Sequence, residues 1–271
     1  MIPANLRAQE PKKKSPASIL ARAKGIVVQS GGQGLLAREE SLVFNHASVL
    51  HLPCRTASVK EMERGRFQMA DGIIPIGSIQ FIRAALRQLD FELPKPQSYP
   101  SVLAHLLYRQ VSWFDSLASA VKLLDDGQPL FVKPADRWKS FTGFVIRHPD
   151  DIRLSGKSRS SPVWVSSIVD FQSEWRAYVS DHKLLDLRFV DDGGDRRVEP
   201  DIQVVLDAIS RLQSDASTPR GYVIDFGVLA TSQTALVEMN DGFAFGAYDG
   251  LPASVLWEVA AMRFLEITGQ G

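Results

Sequence analysis

The chain has 271 residues, of which 45% are hydrophobic and 23% charged, values typical of a soluble globular protein with one large or two medium domains. Its 31 basic residues balance 31 acidic residues, so no overall charge draws the chain to nucleic acid or to a membrane surface. One cysteine, Cys54, excludes an intrachain disulfide framework and a cysteine zinc site, and no apolar run is long enough to cross a bilayer. We therefore expect a cytoplasmic protein that binds charged ligands through local clusters.

The first part of the chain predicts a tail followed by a small α/β domain. Residues 1–24 are expected to be disordered, because Pro, Lys and Ser dominate their composition. Strand and helix patterns then alternate, which predicts an α/β domain over residues 25–98 that contributes to an acceptor site. The predicted strands are 24–29, 48–52 and 72–76, and the predicted helix is 78–89 behind the N-capping residue Ser78.

A proline-rich linker at 91–100 separates this domain from a second one, predicted over residues 99–271. Helical patterns cover 101–126, with leucines on one face. Strands dominate from residue 129 onward, and they are interrupted by an amphipathic helix at 202–212. The chain closes with another helix at 253–267.

Residues 225–227 read Asp-Phe-Gly, the tripeptide of the kinase metal loop, but no histidine forms the His-Arg-Asp triplet that a protein kinase needs before it. A β-hairpin explains the segment better, because 222–229 and 235–240 are β-rich and flank a polar turn. A turn centred between residues 231 and 232 places Asp225 opposite Glu238 and Val223 opposite Asn240. Side chains alternate along a strand, so Asp225, Glu238 and Asn240 are expected to project from one face.

Two opposed carboxylates repel each other, and a hard divalent cation relieves that repulsion. Asp, Glu and an Asn carbonyl supply the oxygen ligands that Mg²⁺ prefers. The hairpin therefore predicts a magnesium site, and the alternative is a solvated strand face with exposed acids. One residue of slip in the turn would put Asp225 and Glu238 on opposite faces.

The segment FVKPADRWKSFTG contains two lysines suited to phosphate. Lys133 ends an apolar run, so its ammonium is expected at the lip of a strand. Lys139 lies in a loop closed by Thr142 and Gly143, where backbone amides and a hydroxyl can reach phosphate oxygens. Two lysines six residues apart are common on any surface, so their value lies in combination with the acidic hairpin.

The strand that begins at Glu174 carries a second polar pair. Glu174 and Arg176 share one face of the sequence EWRAYV, and the apolar residues point to the other face. The guanidinium fork of Arg176 suits a phosphate or a carboxylate, and Glu174 suits a sugar hydroxyl. The alternative is an exposed Glu/Arg ladder that contributes little energy.

The series VKP, FTG, SEWRAYV, VIDFGV and LVEMND resembles the ATP-grasp fold over roughly residues 73–250, and more narrowly the compact ATP-grasp domain family of bacteria and phages. Its most specific part is an Asp, a Glu thirteen residues later and an Asn two beyond that. The resemblance implies an α/β (α+β) protein in which two α+β subdomains hold ATP between them, preceded by a small α/β N-terminal domain.

The resemblance also implies roles for individual residues. Asp225, Glu238 and Asn240 would bind Mg²⁺, while Lys133 would contact the α- or β-phosphate and Lys139 would lie over the phosphates. The implied remaining contacts are the adenine hinge at Ser167, Ile168 and Val169, the ribose acid Glu174, and Arg176 at the γ-phosphate or the acyl substrate. Many family members have a glutamate in place of Ser167, and most have an earlier lysine for which Arg109 is the stand-in here.

The activity implied is that of an ATP- and Mg²⁺-dependent ligase. Such an enzyme activates a small-molecule or peptide carboxylate as an acyl phosphate, which an amine or thiol then attacks. The alternatives are a phosphotransferase with a stable phosphorylated product and a non-catalytic nucleotide-binding module. No nucleic acid or membrane partner is implied, and a homodimer is one option for the assembly.

Overall fold

The computed structural model describes residues 15–135, 141–191 and 193–269. In chain order the helices are α1 (Pro16–Leu20), α2 (Arg38–His46), α3 (Val59–Glu63), α4 (Ile79–Gln88), α5 (Leu117–Val121), α6 (Ile202–Gln213) and α7 (Ala253–Ile267). The strands are β1 (Gly25–Gln29), β2 (Cys54–Ala57), β3 (Ile73–Ile76), β4 (Val111–Phe114), β5 (Leu130–Pro134), β6 (Phe144–Ile146), β7 (Val163–Ser167), β8 (Phe171–Ser180), β9 (Lys183–Phe189), β10 (Gly221–Leu229) and β11 (Thr234–Asp241). None of the helices in these ranges has the length and apolarity needed to cross a membrane.

The N-terminal part contains a parallel sheet in the order β2-β1-β3, as strand–helix alternation predicts. The predicted helix at 78–89 is confirmed: α4 begins after Ser78, whose hydroxyl accepts from the amide of Phe81. The predicted strand at 48–52 is wrong. Residues there form turns at the end of α2, where His51 has a φ of 53° that no strand tolerates, and the strand β2 begins at Cys54 instead.

The predicted disordered tail is wrong for its last ten residues. The helix α1 begins after Ser15, whose hydroxyl accepts from the amide of Ser18, and has Pro16 in its first turn. Ile19 has no exposed surface and joins the core that α7 forms with the parallel sheet. Burial of that one side chain accounts for order in a segment of polar composition. Residues 1–14 lie outside the described part of the chain.

The predicted helix at 101–126 is also wrong in part. Residues Ser101–Leu106 form a 3₁₀ turn whose leucines pack against α6, so the leucine pattern marks a buried turn there. The strand β4 follows, and it pairs antiparallel with β7. Helical structure returns only in α5 and in the 3₁₀ turn Lys122–Asp126.

Two antiparallel sheets form the rest of the chain, in the orders β11-β10-β8-β9 and β4-β7-β5-β6. The helix α6 covers one face of the first sheet. On the opposite face, α7 and the N-terminal sheet cover one end, around Tyr178 and Val223. The chain crosses between the two sheets at residues 168–170, between β7 and β8, so the uncovered end of the first sheet faces the second sheet across a cleft.

Candidate functional site

A cleft of about 700 Å³ lies between the two antiparallel sheets, a volume within the range of small-molecule and cofactor sites. Strands of both sheets and the crossing between them contribute to its walls. The predicted site residues that line it are Arg109, Lys133, Thr142, Gly143, Ser167, Ile168, Val169, Glu174, Arg176, Glu238 and Asn240. The structure therefore brings together residues that the sequence spreads over several strands and their loops. Lys139 lies outside the described residues.

The hairpin β10–β11 has the predicted register at the site. Asp225 pairs with Glu238 and Val223 with Asn240. The register shifts between Asp225 and Phe226, because Phe226 pairs with Leu236 and leaves Val237 as a β-bulge. The bulge supplies the residue that brings Glu238 opposite Asp225.

Asp225 is paired with a cation that the sequence-based argument did not place there. Arg176 lies directly opposite Asp225 on β8, and its Nε and Nη2 donate to the two carboxylate oxygens at 2.7 Å each. The Asp225 side chain is 1% exposed, so the pair is buried at the floor of the cleft. Burial raises the pKa of Asp225 from its ordinary value, and the Arg176 guanidinium opposes that rise.

Glu238 is paired across the cleft with Lys133 of the other sheet. The Lys133 ammonium donates to Glu238 Oε2, and the Asn240 amide donates to Glu238 Oε1 at 2.7 Å. Burial alone would raise the pKa of Glu238, but Lys133 and Asn240 outweigh it and hold that pKa below its ordinary range. Glu238 is therefore an ionised carboxylate at the surface of the cleft, 28% exposed.

The face predicted for β8 is confirmed. Glu174 and Arg176 line the cleft, whereas Ala177 belongs to the core beneath α6. The indole of Trp175 donates to the carbonyl of Val198 at 2.9 Å, away from the cleft. Arg176 also lies 5.0 Å from the ring of Tyr248, which packs over the guanidinium.

Ser167 ends β7 at the point where the chain leaves the second sheet. Its hydroxyl accepts from the amide of Gln110 at 3.2 Å, so the side chain is held by the segment before β4. Ile168 follows with a side chain 39% exposed, and together with Val169 it presents backbone and apolar surface to the cleft. This crossing is where the predicted adenine contact lies.

Arg109 lines the cleft, but its guanidinium is engaged with the protein. Its Nη1 and Nη2 donate to the carbonyls of Leu236 and Val237 at 2.7 Å each. Its predicted contact with phosphate therefore competes with two hydrogen bonds to the bulge of β11.

Tyr99 is a site residue that sequence reasoning missed. It belongs to the predicted linker, yet it lines the cleft, and its ring centre lies 5.2 Å from the Lys133 ammonium and 5.7 Å from the Arg109 guanidinium. The neighbouring Ser98 carbonyl accepts from the amide of Met239 at 2.9 Å, which ties the linker to β11. An aromatic residue in a proline-rich segment was the available signal.

The side chains fit a magnesium–nucleotide complex by their chemistry. No group of three His, Cys, Asp or Glu side chains close enough to hold a metal occurs in the described ranges, so a cage made only of those residues is not present there. Mg²⁺ commonly takes one or two carboxylates and completes its shell with water and phosphates. Glu238 and the Asn240 carbonyl are placed for that use, and Asp225 joins them if Arg176 releases an oxygen.

Comparisons with known proteins agree with this architecture. A family described as an ATP-grasp domain, the second family of its clade, matches residues 108–256. The fold is similar to that of the RimK domain protein ATP-grasp from Sphaerobacter thermophilus DSM 20745, with a TM-score of 0.54, 12% identity, and coverage of 88% of this chain and 97% of that chain. No curated protein gave a significant sequence match.

Two further solved structures are similar in fold. D-cycloserine synthetase DcsG has a TM-score of 0.53 and 14% identity, and the match covers 89% of this chain and 99% of that chain. N5-carboxyaminoimidazole synthetase from Staphylococcus aureus, complexed with ADP, has a TM-score of 0.52 and 12% identity, with coverage of 92% of this chain and 78% of that chain. At these identities the comparison shows a shared fold.

Proposed function

Since the chain belongs to this ATP-grasp domain family, we propose that it is an ATP- and Mg²⁺-dependent carboxylate–amine (or thiol) ligase. In this reaction the γ-phosphate passes to a substrate carboxylate, ADP leaves, and the amine then displaces phosphate from the acyl phosphate. Two of the structures with a similar fold are named synthetases, which fits a ligase.

The contact between Lys133 and Glu238 carries the proposal. It joins a cation suited to phosphate, on β5 of one sheet, to an anion suited to a metal, on β11 of the other. These two groups meet at the cleft wall beside Asn240 and Arg176. A solvated acidic face would not be covered by a second sheet that supplies the opposite charge.

The chain's own residues would act by position and charge. Lys133 binds a phosphate oxygen, Glu174 binds the ribose, and residues 167–169 hold the adenine. Arg176 orients the reacting carboxylate or the γ-phosphate with its guanidinium fork. Bound Mg²⁺, held by Glu238 and Asn240 with Asp225, supplies neutralisation of the phosphate charge. Lys139, placed over the phosphates by the family resemblance, completes the proposed set.

A second cavity, of about 350 Å³, supports a place for the acceptor. Residues 243–246 line both this cavity and the main cleft, so the two are separated by a single stretch of chain. Gly77 and Ser78 of the N-terminal domain form part of its wall. We propose that this domain contributes to the acceptor site.

The ligase chemistry predicts that hydroxylamine will trap an acyl phosphate. With ATP, Mg²⁺ and hydroxylamine, at least one member of a panel of small carboxylic acids, amino acids and short peptides is expected to give a hydroxamate. One ADP is expected per hydroxamate, measured by colorimetric and coupled-enzyme assays. A stable phosphorylated product would instead indicate a phosphotransferase, AMP and pyrophosphate would indicate adenylate chemistry, and no ATP consumption would indicate a binding module.

Variants sharpen that assay. Lys133→Ala is expected to reduce hydroxamate formation about 100- to 1000-fold, since loss of one charge-stabilising donor at a reacting centre costs on this order. Lys183→Ala, at an exposed position at the start of β9, is the matched control and is expected to leave the rate unchanged. Equal rates in both variants would contradict the placement of Lys133 at the phosphates.

We also expect ATP and Mg²⁺ together to stabilise the native chain. A ligand that binds only the native state at a hundredfold excess over its Kd adds about 2.7 kcal/mol to the free energy of unfolding. Thermal melts should show a rise in Tm of roughly 5 °C or more for a chain of this size. ATP in EDTA is the control and should give a smaller rise. No rise at millimolar MgATP would contradict nucleotide binding.

A further inference from the structure

The bulge of β11 presents an unusual pair of backbone groups. In a regular strand, successive carbonyls point to opposite edges, so a single side chain cannot reach both from one side. The extra residue Val237 breaks that alternation, and the carbonyls of Leu236 and Val237 both face the open edge of β11. β11 is the edge strand of its sheet, so β10 pairs with it on one side only.

Arg109 fits that pair of carbonyls. Its two terminal nitrogens each donate at 2.7 Å, one to Leu236 and one to Val237. Nη1 also donates at 3.2 Å to the carbonyl of Leu107, which fixes the arginine to its own segment. The planar fork of a guanidinium can span two acceptors in this way, whereas a lysine ammonium is a single point.

Aromatic rings hold the guanidinium in place. The Arg109 guanidinium carbon lies 5.7 Å from the ring centre of Tyr99 and 5.9 Å from that of Phe171. These rings come from the linker and from the start of β8, so three separate segments converge on the arginine. Such an arrangement resists reorientation of Arg109 toward the cleft.

We propose that Arg109 is a positioning residue: by binding the Leu236 and Val237 carbonyls it holds the bulge that keeps Glu238 opposite Asp225. A strand without the bulge would place Val237 opposite Asp225 and turn Glu238 toward the other face. Arg109 therefore acts on the proposed metal site through the backbone of β11. This role replaces direct phosphate binding by the Arg109 charge.

The proposal rests on the proposed function, and binding measurements separate the two. Mn²⁺ serves as the metal probe, and its free signal is followed by electron paramagnetic resonance with a non-hydrolysable ATP analogue present. If the wild-type chain binds neither analogue nor Mn²⁺, the proposed function fails. If the wild type binds both, the Arg109 variants test the positioning role alone.

Arg109→Lys and Arg109→Met are both expected to weaken Mn²⁺ binding about 10- to 100-fold, the usual cost of losing a partner that orients a metal ligand. Both should bind the metal-free analogue as tightly as wild type. Arg197→Met, which alters an arginine 89% exposed and remote from the hairpin, is the control and should change neither affinity. Wild-type Mn²⁺ binding by Arg109→Lys would overturn the proposal, as would loss of analogue binding without metal.

Deletion of Val237 gives a second test. It removes the bulge yet leaves Glu238 directly after Leu236, so a regular strand again places Glu238 opposite Asp225. In that background Arg109→Met should cost much less Mn²⁺ affinity than in the wild type. An equal cost in both backgrounds would overturn the proposal, and if the deleted chain fails to fold, the lysine and methionine variants still decide it.

Discussion

Asp225→Asn is expected to lower the free energy of unfolding by about 3–5 kcal/mol, because it leaves the buried Arg176 guanidinium without its counter-charge. Both carboxylate oxygens accept from Arg176, and the Asp225 and Arg176 side chains are 1% and 11% exposed. The sequence alone suggested the opposite, since two facing acids gain from loss of one charge. Urea denaturation measures the effect as a lower midpoint with an unchanged m value.

The chain contains a matched control for this prediction. Asp195 and Arg197 form a similar two-point contact, with distances of 3.0 and 2.8 Å, but the arginine is 89% exposed. Asp195→Asn is expected to cost no more than about 1 kcal/mol, as for other surface pairs. Replacing both Asp225 and Arg176 by apolar residues should recover much of the lost stability. Equal small losses in Asp225→Asn and Asp195→Asn would show that burial does not determine the strength of the Arg176 pair.

Glu238→Gln is expected to reduce ADP formation at least about 1000-fold, since the proposed metal contributes several kcal/mol of charge stabilisation to the transition state. The fold should persist, because glutamine keeps the shape of the side chain and its amide oxygen can still accept from Lys133. Steady-state ADP release with excess Mg²⁺ gives the rate, and a thermal melt without ligands confirms the folded state.

Two further variants place limits on this result. Asn240→Ala removes a neutral ligand and is expected to reduce the rate less than Glu238→Gln. Glu199→Gln, at an exposed position, should leave it unchanged. Wild-type ADP release by Glu238→Gln would show that the carboxylate is not a metal ligand, whatever the fold.

The hairpin shows both how far the sequence predicts this site and where it stops. Alternation and the length of the turn predicted the pair Asp225 and Glu238, which the structure confirms. The turn, however, is centred on Thr231, and only the bulge at Val237 restores the predicted register at the site. Val237 is a β-branched residue among others of its kind, so nothing in the local sequence signals an extra residue there.

The contacts across the cleft were beyond the sequence for a different reason. Lys133 and Glu238 are 105 residues apart, and periodicity shows which face a side chain occupies but not which sheet lies opposite. The same limit explains Tyr99, which a proline-rich segment carries into the site. The strand β4 lies in a stretch predicted as helix because its leucines repeat at helical spacing, whereas tertiary pairing with β7 decides its structure.

The salt bridge between Lys133 and Glu238 has a thermodynamic consequence for ligand order. A phosphate competes with Glu238 for the Lys133 ammonium, and a cation competes with Lys133 for the Glu238 carboxylate. Whichever ligand arrives first frees the partner that the other needs. We therefore expect nucleotide and metal to strengthen each other's binding, and linkage requires the same factor in both directions. A bare nucleotide must break the bridge unaided, so the closed pair lets the protein distinguish a magnesium-loaded nucleotide from a free one.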